Sequence, residues 1–279
     1  MNPTLTRRTM LSGIAASALL PALSAPAKEK ATAFALIGDR YHNSDYIRTA
    51  LRKTLVRDLG ISIDFRDEVE LLNAQELEGY RLLIMLRDGM LWPGGYLQGP
   101  PGSPATPPPA IVSEPPLPKI EAQPLYWITA EQGKAVKDFV SRGGGVLFYH
   151  NVTYISPHND DFRDVLGAVT EEHPPMRPFK VKIVNREHPI TRGVSDFVVT
   201  DEQHFMTYQK DPKYLLLKSV NEDGLTFKDL GTSSAAGWAY DYGKGRVCYL
   251  APGHVITSLW NPEYEKLQKN AARWLLRQI

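Results

Sequence analysis

The sequence predicts a single α/β domain with a doubly wound, mostly parallel sheet flanked by helices. Short apolar runs at residues 31–38, 81–86 and 145–149 are typical of strands that are buried on both faces. Amphipathic helical patterns lie between these runs, and this alternation predicts a parallel sheet because crossover connections join the strands. A chain of 279 residues with ordinary apolar content is long enough to enclose one sizeable core.

The first half of the chain alternates strand and helix. After the first strand, apolar side chains mark one face of a helix that ends near Gly60: Ile47, Ala50, Leu51 and Leu55. Residues 61–65 alternate between apolar and polar side chains, which predicts a second strand. Asn73 and Glu76 have the spacing of a capping box, so a short helix is expected to precede the third strand.

The same alternation resumes in the second half. Thr129 and Gln132 form a second capping-box pattern, and the glycines at 143–145 end that helix and begin the next strand. Residues 179–183 alternate apolar and lysine side chains, which predicts a half-exposed strand. Three more strands and a closing amphipathic helix are predicted at residues 214–220, 235–240, 246–250 and 262–278.

A proline-rich insertion at residues 92–124 interrupts this order. Eleven of its 33 residues are proline, which cannot continue a helix or donate to a sheet, so an extended surface segment is expected. It is either a solvated insertion or a rim for a ligand cleft. The aromatic residues that flank it favour the rim: Trp92, Tyr96, Tyr126 and Trp127.

Residues 1–27 have the features of a twin-arginine export signal. Arg7 and Arg8 precede a short apolar run, and Ala-Pro-Ala at 25–27 offers a cleavage site. The run at residues 10–20 is shorter than the roughly 20 residues of a membrane-spanning helix. We therefore predict that the export machinery delivers a mature domain, residues 28–279, to the periplasm without stable membrane association. The alternative is an uncleaved membrane anchor.

Charge and cysteine content narrow the function classes. The chain has 32 basic and 31 acidic residues, and loss of Arg7 and Arg8 leaves 30 against 31, a net charge of −1. This balance argues against a nucleic-acid or membrane-surface partner. Cys248 is the only cysteine, which excludes an intrachain disulfide.

Two stretches in the second half carry a family resemblance. One runs from His188-Pro-Ile-Thr-Arg-Gly193 to Thr200-Asp-Glu-Gln-His204, and the other from Gly237-Trp-Ala-Tyr-Asp-Tyr-Gly-Lys-Gly-Arg246 to Gly253-His254. Together they resemble the signature of the ThuA-like (trehalose utilisation) family, and the resemblance extends over residues 31–279. It implies a class I glutamine-amidotransferase-like, flavodoxin-like fold and a role in sugar metabolism.

Polar side chains follow three of the predicted strands. Asp39 and His42 come after the first strand, Arg87 and Asp88 after the third, and His150 with Asn151 after the strand that ends at Tyr149. Ligands of open α/β sheets bind beyond the carboxyl ends of the strands, so these groups are expected at one edge. His42 and His150 also fall where ThuA-like proteins carry histidines. Each alone is equally well explained as a hydrogen-bonded structural histidine.

The amidotransferase nucleophile is missing from this chain. Those enzymes place a catalytic cysteine on a tight strand-to-helix turn. Here that turn carries His150-Asn151-Val152, and Cys248 lies inside a predicted buried strand. Glutamine amidotransferase and cysteine hydrolase activities are therefore disfavoured. The sequence also lacks the Gly-x-Ser-x-Gly elbow of a serine hydrolase.

Histidines and carboxylates remain as the candidates for chemistry. The set comprises His42, His150, His173, Asp201, Glu202, His204 and His254. Such groups transfer protons on sugar hydroxyls or hold a divalent metal. No compact metal-binding spacing is present, which favours a metal-free site without a cofactor and leaves a divalent metal open. The family resemblance implies that Asp201, Glu202 and His254 belong to the site, and it leaves His204 undecided.

Trp238 and Tyr240 alternate on one face of a predicted strand. Core packing is the ordinary explanation for Trp238, and stacking on a sugar ring is the functional one. Residues 242–246 form a glycine-rich segment that is too short for a phosphate loop, and we predict a hairpin turn there.

These observations predict an exported protein that acts on a carbohydrate: a disaccharide, a glycoside or a keto-sugar derivative. In this hypothesis His150 and Glu202 form the proton-transfer pair, and the remaining residues bind the substrate: His42, Arg87, Asp201, Trp238 and His254. The alternative is a non-catalytic carbohydrate-binding or accessory module.

Overall fold

The computed structural model describes residues 30–93, 114–116 and 123–279. The predicted signal peptide and most of the proline-rich insertion lie outside the described residues. Within the described part, no helix is long and apolar enough to cross a membrane.

Thirteen strands and six α-helices make up the described chain. The strands are β1 (Ala33–Ile37), β2 (Ile63–Arg66), β3 (Leu82–Leu86), β4 (Met90–Leu91), β5 (Leu125–Tyr126), β6 (Gly145–Tyr149), β7 (Ala168–Glu172), β8 (Arg177–Ile183), β9 (Phe197–Asp201), β10 (Phe205–Tyr208), β11 (Leu215–Val220), β12 (Ser233–Tyr242) and β13 (Gly245–Leu250). The helices are α1 (Ser44–Leu51), α2 (Ala74–Leu77), α3 (Ala130–Ser141), α4 (Asp160–Leu166), α5 (Ile256–Leu259) and α6 (Pro262–Leu275). A π-helical stretch, Arg52–Arg57, extends α1.

A nine-stranded sheet forms the centre, in the order β2-β1-β3-β6-β13-β12-β11-β8-β9. The first five strands pair in parallel, and the remaining neighbours pair antiparallel. Strands β12 and β8 therefore run opposite to these five strands, whereas β11 and β9 run in the same direction as they do. Seven of the nine strands thus share one direction. The helices α1, α3, α4 and α6 pack against the strands. The predicted mostly parallel α/β fold in one domain is confirmed.

Local signals formed as predicted. Thr129 accepts from the Gln132 amide, and the Gln132 side chain accepts from the Thr129 amide, which completes the capping box of α3. Asn73 caps α2 by accepting from the Glu76 amide. Every residue of β1, β3 and β6 is buried, because both faces of these strands are covered.

The two ends of the proline-rich insertion meet beside the carboxyl edge of the sheet. Strand β4 pairs with β5 in a small antiparallel ribbon, and the Trp127 indole donates to the Asp88 carbonyl at 2.7 Å. The ends of the insertion are thereby fixed next to the loop that follows β3.

Candidate functional site

Five strand ends deliver polar side chains to one edge of the sheet. Because β1, β3, β6, β13 and β9 run in the same direction, their carboxyl ends share that edge. The side chains they bring together are Asp39, His42, Asp88, His150, Asn151, Asp201, Glu202 and His254. Five of these side chains, those of His42, Asp88, Asn151, Glu202 and His254, line a cavity of about 370 Å³. His173, which follows β7, and His204, which precedes β10, also line it.

His150 occupies the strand-to-helix turn after β6 in a left-handed backbone conformation, with φ at 46°. This conformation is energetically unfavourable for residues other than glycine, and residues held in it are frequent at functional sites. A Cβ on Gly253 would lie 2.7 Å from the His150 Cβ, so a side chain at 253 would displace the histidine. The turn that carries the nucleophile in amidotransferases therefore presents an imidazole in this chain.

The hydrogen bonds of His150 fix its tautomer. Its Nδ1 lies 2.9 Å from the Ala251 carbonyl, which only accepts, so Nδ1 carries the proton. The opposite nitrogen, Nε2, is buried without a hydrogen-bond partner and lies 3.4 Å from the Glu202 Oε2. Neutral His150 therefore turns a lone pair toward a carboxylate. That arrangement is unfavourable unless a proton or a cation lies between the two.

His42 is held in the same way by Asp39. Its Nδ1 lies 2.8 Å from Asp39 Oδ1, and its Nε2 lies 2.9 Å from His254 Nδ1. Burial alone would raise the pKa of Asp39, but the His42 contact and backbone amides hold that pKa below its ordinary value. Burial lowers the pKa of His42, and Asp39 only partly opposes this. A carboxylate that orients a histidine in this way is typical of metal-binding imidazoles.

Glu202 is the common neighbour of the histidines. Its Oε2 lies 3.1 Å from His254 Nδ1 and 3.6 Å from His204 Nε2, in addition to its contact with His150. Burial opposes ionisation of Glu202, but the neighbouring imidazoles of His150, His204 and His254 hold its pKa far below the ordinary value. In His150, burial lowers the pKa, and the charges of Glu202 and Asp201 reverse this and raise it. Glu202 is thus a carboxylate throughout the neutral pH range.

Asp201 organises the loop after β13. Its carboxylate accepts from the backbone amides of Gly253 at 3.1 Å and His254 at 3.2 Å. Ser258 also donates to the Thr200 carbonyl of β9, at 3.0 Å. Asp201 is fully buried, so it positions His254 through the backbone, whereas the sequence predicted contact with the substrate.

Arg87 faces away from the histidines. Its guanidinium donates to the carbonyls of Gly38 and Asp67, the latter at 2.9 Å. It lines a neighbouring cavity of about 390 Å³ together with Asp67 and Trp92. Arg87 therefore supports the loop after β1.

Trp238 requires a correction, because the structure places it in the core. Its side chain has no exposed surface, its ring stacks on Tyr249 at 4.2 Å between centroids, and its Nε1 donates to the Leu166 carbonyl at 2.8 Å. No face of the ring is left to meet a sugar. Cys248 is also buried in β13, as expected for a core residue, and burial raises the pKa of its thiol.

The sequence placed Asp88 at this edge without giving it a role, and it did not indicate Tyr154. Both line the cavity with the histidines, and burial, reinforced by the Glu202 charge, raises the pKa of Tyr154. Tyr154 lies one helical turn beyond His150 in the 3₁₀ segment His150–Tyr154, which is the signal that could have found it. Asp88 follows β3 at the same edge, where its neighbour Arg87 was chosen instead.

The donor atoms fit a divalent metal ion. One atom each from His42, His150, Glu202 and His254 lie within 4.8 Å of one another. Imidazole nitrogens with a carboxylate oxygen suit Zn²⁺ and similar transition metals. His173, Glu202 and His204 form a second such group that shares the carboxylate. With each Nδ1 bonded to Asp39 or to the Ala251 carbonyl, the Nε2 atoms of His42 and His150 face the other donor atoms of the first group, His254 Nδ1 and Glu202 Oε2.

Comparisons with known proteins agree with this fold. The family model described as trehalose utilisation, ThuA, matches residues 120–275, which is 156 of the 279 residues. No curated protein matches the chain.

Several solved structures are similar. A putative ThuA-like protein from Bacteroides uniformis is 20% identical with a TM-score of 0.60, covering 92% of this chain and 95% of that one. One from Parabacteroides merdae is 14% identical with a TM-score of 0.63, covering 89% and 90%. A β-galactosidase from Rahnella is 16% identical with a TM-score of 0.52, covering 88% of this chain and 32% of its own. At these identities the structures establish the fold, a class I glutamine-amidotransferase-like one. With the family model matching more than half of its length, the chain belongs to the ThuA, or trehalose utilisation, family.

Proposed function

We propose that this protein is an enzyme that carries out acid-base chemistry on a carbohydrate at the His42, His150, Glu202 and His254 centre. The observation that carries the proposal is the convergence of these four side chains, from four separate loops, beside one cavity that His42, Glu202 and His254 line. Family membership supports a carbohydrate-related role. The substrate class is a disaccharide, a glycoside or a keto-sugar derivative.

The residues divide into a binding set and a proton acceptor. The Nε2 atoms of His42 and His150 and the Nδ1 of His254 would hold a divalent metal, with Asp39 and the Ala251 carbonyl fixing the two rings of His42 and His150. When bound, such an ion polarises a hydroxyl or carbonyl oxygen of the sugar. Glu202, kept ionised beside these imidazoles, accepts the proton that a sugar hydroxyl or an attacking water loses.

The second candidate function is a carbohydrate-binding or accessory module without turnover. The strained backbone at His150 favours the enzyme. Backbone strain of this kind is typical of active sites, and sugar binding alone does not require an imidazole in an unfavourable conformation.

A substrate panel separates these functions. The panel contains trehalose, other disaccharides, their keto derivatives and 4-nitrophenyl glycosides, each tested for binding by calorimetry and for turnover by product analysis. The enzyme proposal expects turnover of at least one compound. Binding without turnover across the panel would support the accessory module instead.

We also propose that the precursor is exported by the twin-arginine route, on the basis of Arg7 and Arg8 and the apolar run that follows. Replacing both arginines by lysine is expected to leave the protein in the cytoplasm, which fractionation and immunoblotting would detect. Undiminished periplasmic protein in that variant would contradict this route.

A further inference from the structure

Asp88 lies at the cavity and has no role in the metal-binding set. It follows β3, is 2% exposed and lines the cavity together with Glu202 and His254. Its Oδ1 accepts from the Met90 amide at 2.9 Å. Among the residues that the structure describes, no hydrogen bond satisfies its Oδ2. The side chain is therefore anchored through one oxygen, and the other remains available to a ligand.

The surroundings of Asp88 favour its protonated form. Its backbone amide donates to the Asp39 Oδ2 at 3.0 Å, which sets the two acidic residues side by side. Asp39 keeps its negative charge because His42 and two backbone amides bond to it. Burial, followed by the Asp39 charge, raises the pKa of Asp88 to about 7. The neighbouring Arg87 opposes this only weakly, because its guanidinium is engaged by the Gly38 and Asp67 carbonyls.

Two carboxyl groups of opposite character thus share one cavity. The Glu202 carboxylate lies among imidazoles, whereas the buried Asp88 lies beside the Asp39 carboxylate. Environments that push two such groups apart mark one as the base and the other as the acid. The titratable groups that face Asp88 across the cavity are Tyr41, Tyr154, His42, His173, His204, His254 and Glu202.

We propose that Asp88 is a catalytic residue, the proton donor to the leaving oxygen of a glycoside bound in this cavity. This inference rests on the proposed function. The C–O bond of the glycoside breaks with its electron pair on the leaving oxygen, and that oxygen takes the proton from Asp88 Oδ2. An attacking water forms the new C–O bond to the anomeric carbon and gives its proton to Glu202, so the glycoside is hydrolysed. Solvent returns a proton to Asp88 and removes one from Glu202, so charge and protons balance.

The effect of replacing Asp88 should depend on the leaving group of the glycoside. In the Asp88→Asn variant, kcat for disaccharides and alkyl glycosides is expected to fall by about 10²–10⁴-fold, the usual contribution of a positioned acid. A 4-nitrophenolate leaves without protonation, so kcat for 4-nitrophenyl glycosides should fall less than about tenfold, with KM nearly unchanged. Wild-type activity should decline as pH rises through about 7, because the acid must be protonated, and the variant should lack that limb. Asp67→Asn, at an exposed neighbouring residue, is the matched control.

Infrared spectroscopy tests the protonation of Asp88 without any substrate. Infrared difference spectra of the wild type should show a protonated carboxyl band that disappears as pH rises through about 7. Asp88→Asn should lack that band, and Asp67→Asn should keep it. Equal losses on all leaving groups, or a band unaffected by Asp88→Asn, would overturn the assignment. If the wild-type protein shows the protonated carboxyl band but turns over no sugar, the proposed function is contradicted instead.

Discussion

His150→Ala and Glu202→Gln are each expected to lower turnover by about 10²–10⁴-fold, but for different reasons. Loss of the His150 imidazole removes a proposed metal ligand, whose Nε2 lies 3.4 Å from the Glu202 Oε2. Glutamine at 202 keeps the size of the side chain and cannot accept the proton. Sugar affinity, measured by calorimetry, should change much less in Glu202→Gln. The metal content of the two variants separates the roles, since only His150→Ala should lose the ion.

Surface substitutions provide the matched controls. His158→Gln and Glu187→Gln change the same residue types at exposed positions and should leave turnover as in the wild type. Full turnover in both site variants would show that the reaction occurs elsewhere. Equal loss in the control variants would point to a general effect on folding.

Trp238→Ala is expected to lower the free energy of unfolding by about 3–5 kcal/mol, the usual cost of removing a fully buried tryptophan. The ring stacks on Tyr249, and its Nε1 bonds to the Leu166 carbonyl, so the variant leaves a cavity and an unsatisfied carbonyl. Urea unfolding measures this change. Trp238→Phe, which retains much of the ring, should lose less.

Tyr126→Ala, at an aromatic residue that is 55% exposed, is the control and should change stability by less than about 0.5 kcal/mol. The sugar-stacking interpretation makes the opposite prediction for Trp238→Ala, namely near-normal unfolding with loss of sugar affinity. Observing that pattern would restore Trp238 to the site.

The fold was predictable because its signals are local. The apolar runs of β1, β3 and β6 and the capping box at Thr129 each specify structure within a few residues. The strand pairing of the second half was not predictable in the same way. Strands β12, β11, β8 and β9 pair antiparallel, and their order depends on contacts between distant segments.

The site was predictable in part for the same reason. His42 and His150 follow strands that the sequence identifies, so their shared edge could be expected. Glu202 reaches them because the Asp201 carboxylate bonds to the amides of Gly253 and His254, a contact over more than 50 residues. Sequence spacing therefore gave no metal pattern, although the donor atoms converge in space.

The misassignment of Trp238 has a physical cause. Alternation separates the two faces of a strand only when one face meets solvent. Five consecutive residues of β12, from Ala236 to Tyr240, are all buried, so the pattern gave no means of choosing between cavity and core. The sequence likewise could not separate Arg87 from Asp88. These adjacent residues follow β3, but Asp88 lines the cavity with the histidines and Arg87 lines the neighbouring cavity.

The metal content of purified protein tests the central claim most directly. Elemental analysis of the wild type should find about one transition-metal ion per chain, as expected for a three-histidine site. Prolonged chelation should remove the ion and turnover together, and adding the metal back should restore both. Glu202→Gln should retain the ion, and His150→Ala should lack it. Metal-free wild-type protein with undiminished turnover would contradict the account.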